Sequence, residues 1–220
     1  AGVDCLSPSK NPDCATPAAM LTTIRKIKEV TGKPCGIKLA LGGVEELRDL
    51  MKLAITMDRE MQHPEPSHIP ALFMESLALP VRDILPEVDR MLVDLDIRGK
   101  VHLVASGRLV TAHDVAVALA LGADSVESAR GFMMAIGCIN AMECANDTCP
   151  VGIATQNPKL QKALVPSVKA QRVVNYAKAM EKELFDLALA CGINHPRDFN
   201  RSHLVSLEAQ DTPNLIAKAS

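Results

Sequence analysis

Val101-His102-Leu103-Val104-Ala105-Ser106-Gly107-Arg108 decides the fold. An apolar, β-favouring run ends abruptly at a small polar turn, as a buried strand does. Thr111 then offers a side-chain oxygen to open a helix, whose apolar residues run from Val115 to Leu121 and stop at Gly122. Asp124-Ser125-Val126-Glu127-Ser128 repeats the strand, and Arg130-Gly131 opens another helix. Strand, turn and helix repeated in this order within about 30 residues are the mark of a parallel α/β sheet.

The same alternation extends outward. Upstream, Gly36-Ile37-Lys38-Leu39-Ala40-Leu41 reads as a buried strand closed by Gly42-Gly43, with helical spacing from Val44 to Met51. Ala54-Ile55-Thr56-Met57-Asp58 reads as a weaker strand, and Gly2-Val3-Asp4-Cys5-Leu6 as another. Val81 to Leu95 carries Ile84, Leu85, Val88, Met91, Leu92 and Leu95 on one helical stripe, with Pro86 in its first turn or at a kink. Downstream of Lys159 the pattern is helical, above all from Val168 to Leu189, before a turn at Asn194-His195-Pro196 and a ten-residue tail. About five strands follow one another in strand–helix order, whereas a closed (β/α)8 TIM barrel needs eight and about 250 residues. The expected fold is therefore α/β, the C-terminal half of a TIM-type (β/α)8 barrel over residues 1–157, followed by a helical extension over residues 158–220.

Composition narrows the function. The chain has 24 Lys+Arg against 26 Asp+Glu, a net charge of −2, so no global field holds a polyanion. Aromatic residues make up 2 % with no Trp, which leaves little for stacking on bases; nucleic acid is not an expected partner. No stretch approaches the roughly 18 apolar residues of a membrane span. Ala1 to Cys5 lacks a basic, then apolar, export signal and reads as starting inside a strand of a larger domain. Seven cysteines, an odd number without an export signal, point to reduced thiols used for metal or catalysis in a cytoplasmic setting.

Three of those cysteines lie in Gly137-Cys138-Ile139-Asn140-Ala141-Met142-Glu143-Cys144-Ala145-Asn146-Asp147-Thr148-Cys149-Pro150. Thiolates are soft ligands that select iron–sulfur clusters or zinc. Zinc would want a fourth ligand and paired-Cys spacing, and no C-x2-C occurs. A cluster with three liganded irons fits; the alternative is three structural cysteines at helical spacing.

Two further features carry chemistry. Ala105-Ser106-Gly107-Arg108 and Ser128-Ala129-Arg130-Gly131 end consecutive strands, where barrels commonly hold a phosphate on backbone N–H groups. The alternative is two ordinary turns with solvated arginines. Lys38 sits inside an apolar strand, so it pairs, serves a site, or points out at the strand end. The six histidines form no ligand-spaced pair, and neither a Walker loop nor a dinucleotide fingerprint occurs.

The run from Ser128-Ala129-Arg130-Gly131-Phe132-Met133 through Gly137-Cys138-Ile139 to Thr148-Cys149-Pro150-Val151-Gly152-Ile153-Ala154-Thr155-Gln156 resembles the flavin and iron–sulfur domain of glutamate synthase. It is closer still to the FMN-binding glutamate synthase family proteins. Gly2-Val3-Asp4-Cys5-Leu6-Ser7-Pro8, Lys33-Pro34-Cys35-Gly36-Ile37-Lys38-Leu39, Ala105-Ser106-Gly107-Arg108 and the helical C-terminus carry the same likeness. The resemblance implies a (β/α)8 barrel binding FMN beside a 3Fe–4S cluster. It implies reductive amination of 2-oxoglutarate, or a related 2-oxo acid, to the amino acid. By position it implies Lys38 as the catalytic residue at flavin or substrate, and Ser106, Gly107, Arg108, Ser128, Ala129 and Arg130 at the FMN phosphate. Cys138, Cys144 and Cys149 would bind the cluster.

The partners it implies are an electron donor (ferredoxin or an NAD(P)H-dependent subunit), an amidotransferase subunit, and an oligomer that completes the barrel. One departure stands out. Where the family has D-G-x-x-G-G-T-G, Asp58 is followed by Arg59-Glu60-Met61-Gln62-His63-Pro64-Glu65-Pro66, and no glycine occurs between Gly43 and Gly99. A second expectation follows from that loss: a degenerate, non-catalytic homologue serving as an iron–sulfur or structural subunit of a larger complex.

Overall fold

The computed structural model describes residues 14–38, 41–56 and 79–205. Their elements run α1 (Pro17–Thr31), α2 (Glu45–Thr56), α3 (Val81–Asp94), β1 (Val104–Ser106), α4 (Ala112–Ala120), β2 (Ser125–Glu127), α5 (Ala129–Ala135), α6 (Pro158–Gln161) and α7 (Pro166–Ala190). These described residues are mixed α/β and mostly helical. Among the described residues the sheet has two strands, β1 and β2, which pair in parallel with Val104 opposite Ser125, Ala105 opposite Val126 and Ser106 opposite Glu127. No described helix is long and apolar enough to cross a membrane.

The chain divides into two compact units. The first holds α1, α2, α3, β1 and β2. Thr16 caps α1 by accepting from the Ala19 N–H, Pro17 opens it, and Gly32 ends it in the left-handed region at φ 63°. Helix α2 buries Leu47, Leu50, Met51 and Ala54, one helical stripe at three- and four-residue steps. That stripe corrects the strand expected from Ala54: the residue completes the apolar face of α2, and Met57-Asp58 lie outside the described residues. Helix α3 buries Ile84, Leu85, Val88, Met91 and Leu92 as expected, with Pro86 inside it. Gly36 to Lys38 is not strand, Leu39-Ala40 and the expected Gly2–Leu6 strand lie outside the described residues, and the glycine-free segment 59–78 does too.

The ladder starts later than Val101 because Asp124 occupies its approach. The Leu103 N–H donates to Asp124 Oδ2 at 2.6 Å, and the Asp124 N–H donates to the Leu103 carbonyl at 2.8 Å. Arg98 locks this corner. Its guanidinium donates to both oxygens of Asp124 (3.0 and 2.9 Å), to Asp89 (2.7 Å) and to the Val101 carbonyl (3.0 Å). Burial opposes the Asp124 charge, but the Arg98 and Leu103 hydrogen bonds outweigh it and hold the carboxyl below the usual range.

In the second unit Thr111 caps α4 in a reciprocal box with Asp114. Ala116 and Ala120 of α4 pack with Ala188 of α7 and with Phe199, joined by Leu119, Leu184, Leu187, Ile193 and Leu204. The helical extension is therefore the wall of this unit's core. Helix α7 also packs along α5.

Candidate functional site

The cysteine loop is anchored at its start by the end of α5. The Cys138 N–H donates to the Met133 carbonyl at 3.0 Å and the Gly137 N–H to Met134 at 2.9 Å, the paired bonds of a Schellman motif. Gly137 holds φ 104°, which that motif needs and L residues avoid. Beyond it the backbone is left-handed again at Asn140 (58°), Met142 (61°), Asp147 (59°) and Gly152 (72°). Such conformations cost about 1–3 kcal/mol each at non-glycine residues and cluster at functional sites.

Hydrogen bonds hold this shape. Glu143 accepts from Thr148 Oγ1 at 2.6 Å and from Asn146 Nδ2 at 3.1 Å, and these donors keep its carboxyl below the usual pKa. Buried Thr155 donates to the Asp147 carbonyl at 2.6 Å, and its own carbonyl accepts from Gln161 at 2.8 Å. A methyl on Gly152 would collide with the Leu160 carbonyl.

Within this frame Cys149 is buried, Cys138 half-buried and Cys144 exposed; all three are free thiols, as are Cys14, Cys35 and Cys191. The backbone N–H of Ala154, followed by those of Val151, Ile153 and Gly152, holds the Cys149 pKa below the usual thiol value, against opposing desolvation. Among the described residues no three His, Cys, Asp or Glu side chains gather to hold a single metal ion. Three free thiols on one loop are nonetheless soft donors of the kind that bind iron–sulfur clusters or zinc.

The remaining expected residues fall in both units. In the first, Lys38 Nζ stands 2.9 Å from Glu127 Oε2, with the two side chains 30 % and 49 % exposed. The pairing answers how a lysine is tolerated in that apolar run. Ser106 ends β1, and Gly107 follows at φ 144°. In the second unit, Arg108 is exposed at φ 55°, Ala129 and Arg130 form the first turn of α5, and Ser128 precedes them. The first amides of a helix lack an intrahelical acceptor. The Ser128 hydroxyl is already engaged, donating to the Leu109 carbonyl at 2.5 Å and lying 3.2 Å from the Tyr176 hydroxyl.

Tyr176 is a residue that reading the sequence missed. It is the chain's single tyrosine and lies on the inward stripe of α7. Its hydroxyl donates to the Val110 carbonyl at 2.5 Å, and its ring meets Phe132 edge-on at 5.0 Å. Gly131 makes room for it, since a methyl there would collide with the hydroxyl. Gly137 and Gly152 carried a legible signal, because each follows an apolar residue at a turn; Tyr176 carried none.

Residues 1–194 match the family described as the conserved region in glutamate synthase. The chain is 42 % identical over 209 residues to the glutamate synthase large subunit-like protein YerD of Bacillus subtilis, covering 90 % of this chain and 39 % of that protein. It is 32 % identical over 200 residues to an archaeal glutamate synthase [NADPH] of Methanocaldococcus jannaschii, covering 88 % and 39 %. The chain thus spans about two fifths of these relatives' length. Among solved structures, an L230A mutant flavocytochrome b2 with benzoylformate aligns at a TM-score of 0.51 with 13 % identity, over 89 % of this chain and 43 % of that one, which is a likeness of fold. On the strength of the family match over most of its length, the chain belongs to the glutamate synthase family.

Proposed function

We propose that this chain is the flavin- and iron–sulfur-binding part of a glutamate synthase-type oxidoreductase, which reductively aminates 2-oxoglutarate or a related 2-oxo acid. The observation that carries the reading is the match of residues 1–194 to the glutamate synthase family, in a chain whose one loop bears Cys138, Cys144 and Cys149 as free thiols. The three thiolates would hold a 3Fe–4S cluster. When bound, the cluster supplies single electrons and reduced FMN supplies a hydride.

The chain's own residues bind and orient. Ser106, Gly107, Arg108, Ser128, Ala129 and Arg130 would hold the FMN phosphate: the backbone N–H groups at these strand ends as donors, the two arginines as counter-charges. Ser128 would contribute its backbone, since its hydroxyl is engaged. Lys38 would place a fixed positive charge at flavin or substrate, and the Glu127 carboxylate orients that ammonium at 2.9 Å. An electron donor, ferredoxin or an NAD(P)H-dependent subunit, and an amidotransferase are the partners this activity needs. Further barrel strands, from the same protein or an oligomer, would complete a (β/α)8 barrel; the fold likeness to a flavocytochrome supports that architecture.

A second reading is an iron–sulfur subunit without flavin. The glycine-free stretch between Gly43 and Gly99 favours it, because the family's glycine loop lets backbone lie against the ring. Anaerobic purification of the protein decides between them. Stoichiometric FMN, iron and acid-labile sulfide are expected; iron and sulfide without flavin select the second reading. Colourless protein with none of the three overturns both.

A further inference from the structure

Strands β1 and β2 run parallel, so both end at one edge, with Ser106 opposite Glu127 in the last pair. In α/β sheets ligands bind beyond the carboxyl ends of the strands. Glu127 stands at that edge as an exposed carboxylate. Lys38, half-buried and 89 positions away in the chain, brings its Nζ to 2.9 Å from Glu127 Oε2. The lysine comes from the apolar run Ile37-Lys38-Leu39-Ala40-Leu41, where stability alone favours hydrocarbon. An ion pair this open to water adds little to stability. Opposite charges placed against the local pattern, at the edge where ligands bind, mark a recognition element.

We infer that Lys38 and Glu127 together form a clamp for the zwitterion of an α-amino acid, Lys38 taking the α-carboxylate and Glu127 the α-ammonium group. This rests on the reading that Lys38 serves the substrate of a reductive amination. The ground is charge complementarity. An α-amino acid sets a positive nitrogen beside a carboxylate, and the protein's pair sets a carboxylate beside a positive nitrogen. An ammonium has three donors and a carboxylate about four acceptor sites, so the pair binds a ligand without parting. The 2-oxo acid keeps the carboxylate but carries a carbonyl oxygen, which the Glu127 carboxylate repels. Ammonium ion condensing with the 2-oxo acid releases water and leaves a protonated imine, whose nitrogen is positive again. Glu127 thus favours the nitrogen-bearing species, and Lys38 holds all of them by the carboxylate they share.

The test is isothermal titration calorimetry of the full-length protein, purified anaerobically, with two probe pairs: L-glutamate against 2-oxoglutarate, and L-alanine against pyruvate. The quantity read is the ratio of the two dissociation constants within a pair. Glu127→Gln keeps the side chain's size and is expected to weaken the amino acid about tenfold, with the 2-oxo acid unchanged or tighter. Glu127→Asp keeps the charge and is expected to keep the parent's ratio on the same side. Lys38→Gln weakens both members of a pair. A glutamate that only orients Lys38 would lower both affinities together in Glu127→Gln. That unchanged ratio overturns the inference, and the role of Lys38 stands if Lys38→Gln still weakens both ligands. Lys38→Gln without effect on either ligand overturns the reading as well. Parent protein that binds neither amino acid overturns the inference directly.

Discussion

The Tyr176 hydroxyl stands 3.2 Å from Ser128 Oγ, and the two oxygens donate to consecutive carbonyls, Tyr176 to Val110 and Ser128 to Leu109, each at 2.5 Å. One tyrosine on the long helix thereby fixes both the segment after β1 and the entry to α5. Both segments carry residues expected at the flavin phosphate. Tyr176→Phe keeps the ring against Phe132 but leaves a part-buried carbonyl without its donor. The expected loss is about 1–3 kcal/mol in denaturant unfolding.

Gly131→Ala tests the same contact from the other side. Its new methyl meets the Tyr176 hydroxyl and Ser128 Oγ, and both are held by further bonds. Overpacking of this kind costs about 1–3 kcal/mol. Combined with Tyr176→Phe, which removes one of the colliding atoms, the two changes are expected to be less than additive in a double-mutant cycle.

Asp124 sets an acid limit on the first unit. Its folded pKa lies below the ordinary carboxylate value, the Arg98 and Leu103 bonds outweighing the opposing effect of burial. Its stabilisation is therefore fully present above the unfolded pKa of about 3.9 and is lost as pH falls through the lower folded value. Asp124→Asn is expected to cost about 1.5–3 kcal/mol at neutral pH. Its unfolding free energy should also fall less steeply than the parent's as the solution is acidified below about pH 4. Equal acid slopes for the two proteins would remove Asp124 from this role.

Cysteine substitutions separate the loop from the rest of the chain. Cys138→Ser, Cys144→Ser and Cys149→Ser are each expected to lower bound iron severalfold, while Cys35→Ser and Cys191→Ser leave it unchanged. Iron and sulfide analysis after anaerobic purification checks this. Retention of full iron by Cys149→Ser would contradict the role given to its sulfur.

Gly152→Ala probes the turn itself. At φ 72° and against the Leu160 carbonyl, a side chain is doubly disfavoured, and the left-handed strain alone costs about 1–3 kcal/mol. The turn closes on Cys149, whose carbonyl accepts from the Gly152 N–H at 3.1 Å, so iron content should fall together with the melting temperature. A stable variant with normal iron would show that the turn is not needed.

Much of the fold was legible because local periodicity was strong. Val81–Asp94 and Pro166–Ala190 were read as helices from their apolar spacing, and Thr111 was read as a cap from its side chain and position. The failures share a cause. Ala54 lies in a short apolar run that fits strand or helix equally, and its burial beside Leu47, Leu50 and Met51 settles it as helix. Val101 has a strand composition, yet Asp124 takes the hydrogen bonds of Leu103 and shortens the ladder to three pairs.

The sequence by itself determined the three-cysteine loop, the family and the strand, turn and helix order from Val104 to Ala135, since these are written in identity and spacing along the chain. Tertiary structure alone decided that Lys38 pairs with Glu127, that Tyr176 meets Ser128, that Lys169 faces Gly137 and that the chain after Cys149 turns back on it, the Gly152 N–H donating to the Cys149 carbonyl at 3.1 Å. The first three are meetings of residues 89, 48 and 32 positions apart, and no local pattern encodes contacts at that separation. The fourth depends on the direction of N–H groups in a left-handed turn, a property of backbone angles that side-chain identity does not specify.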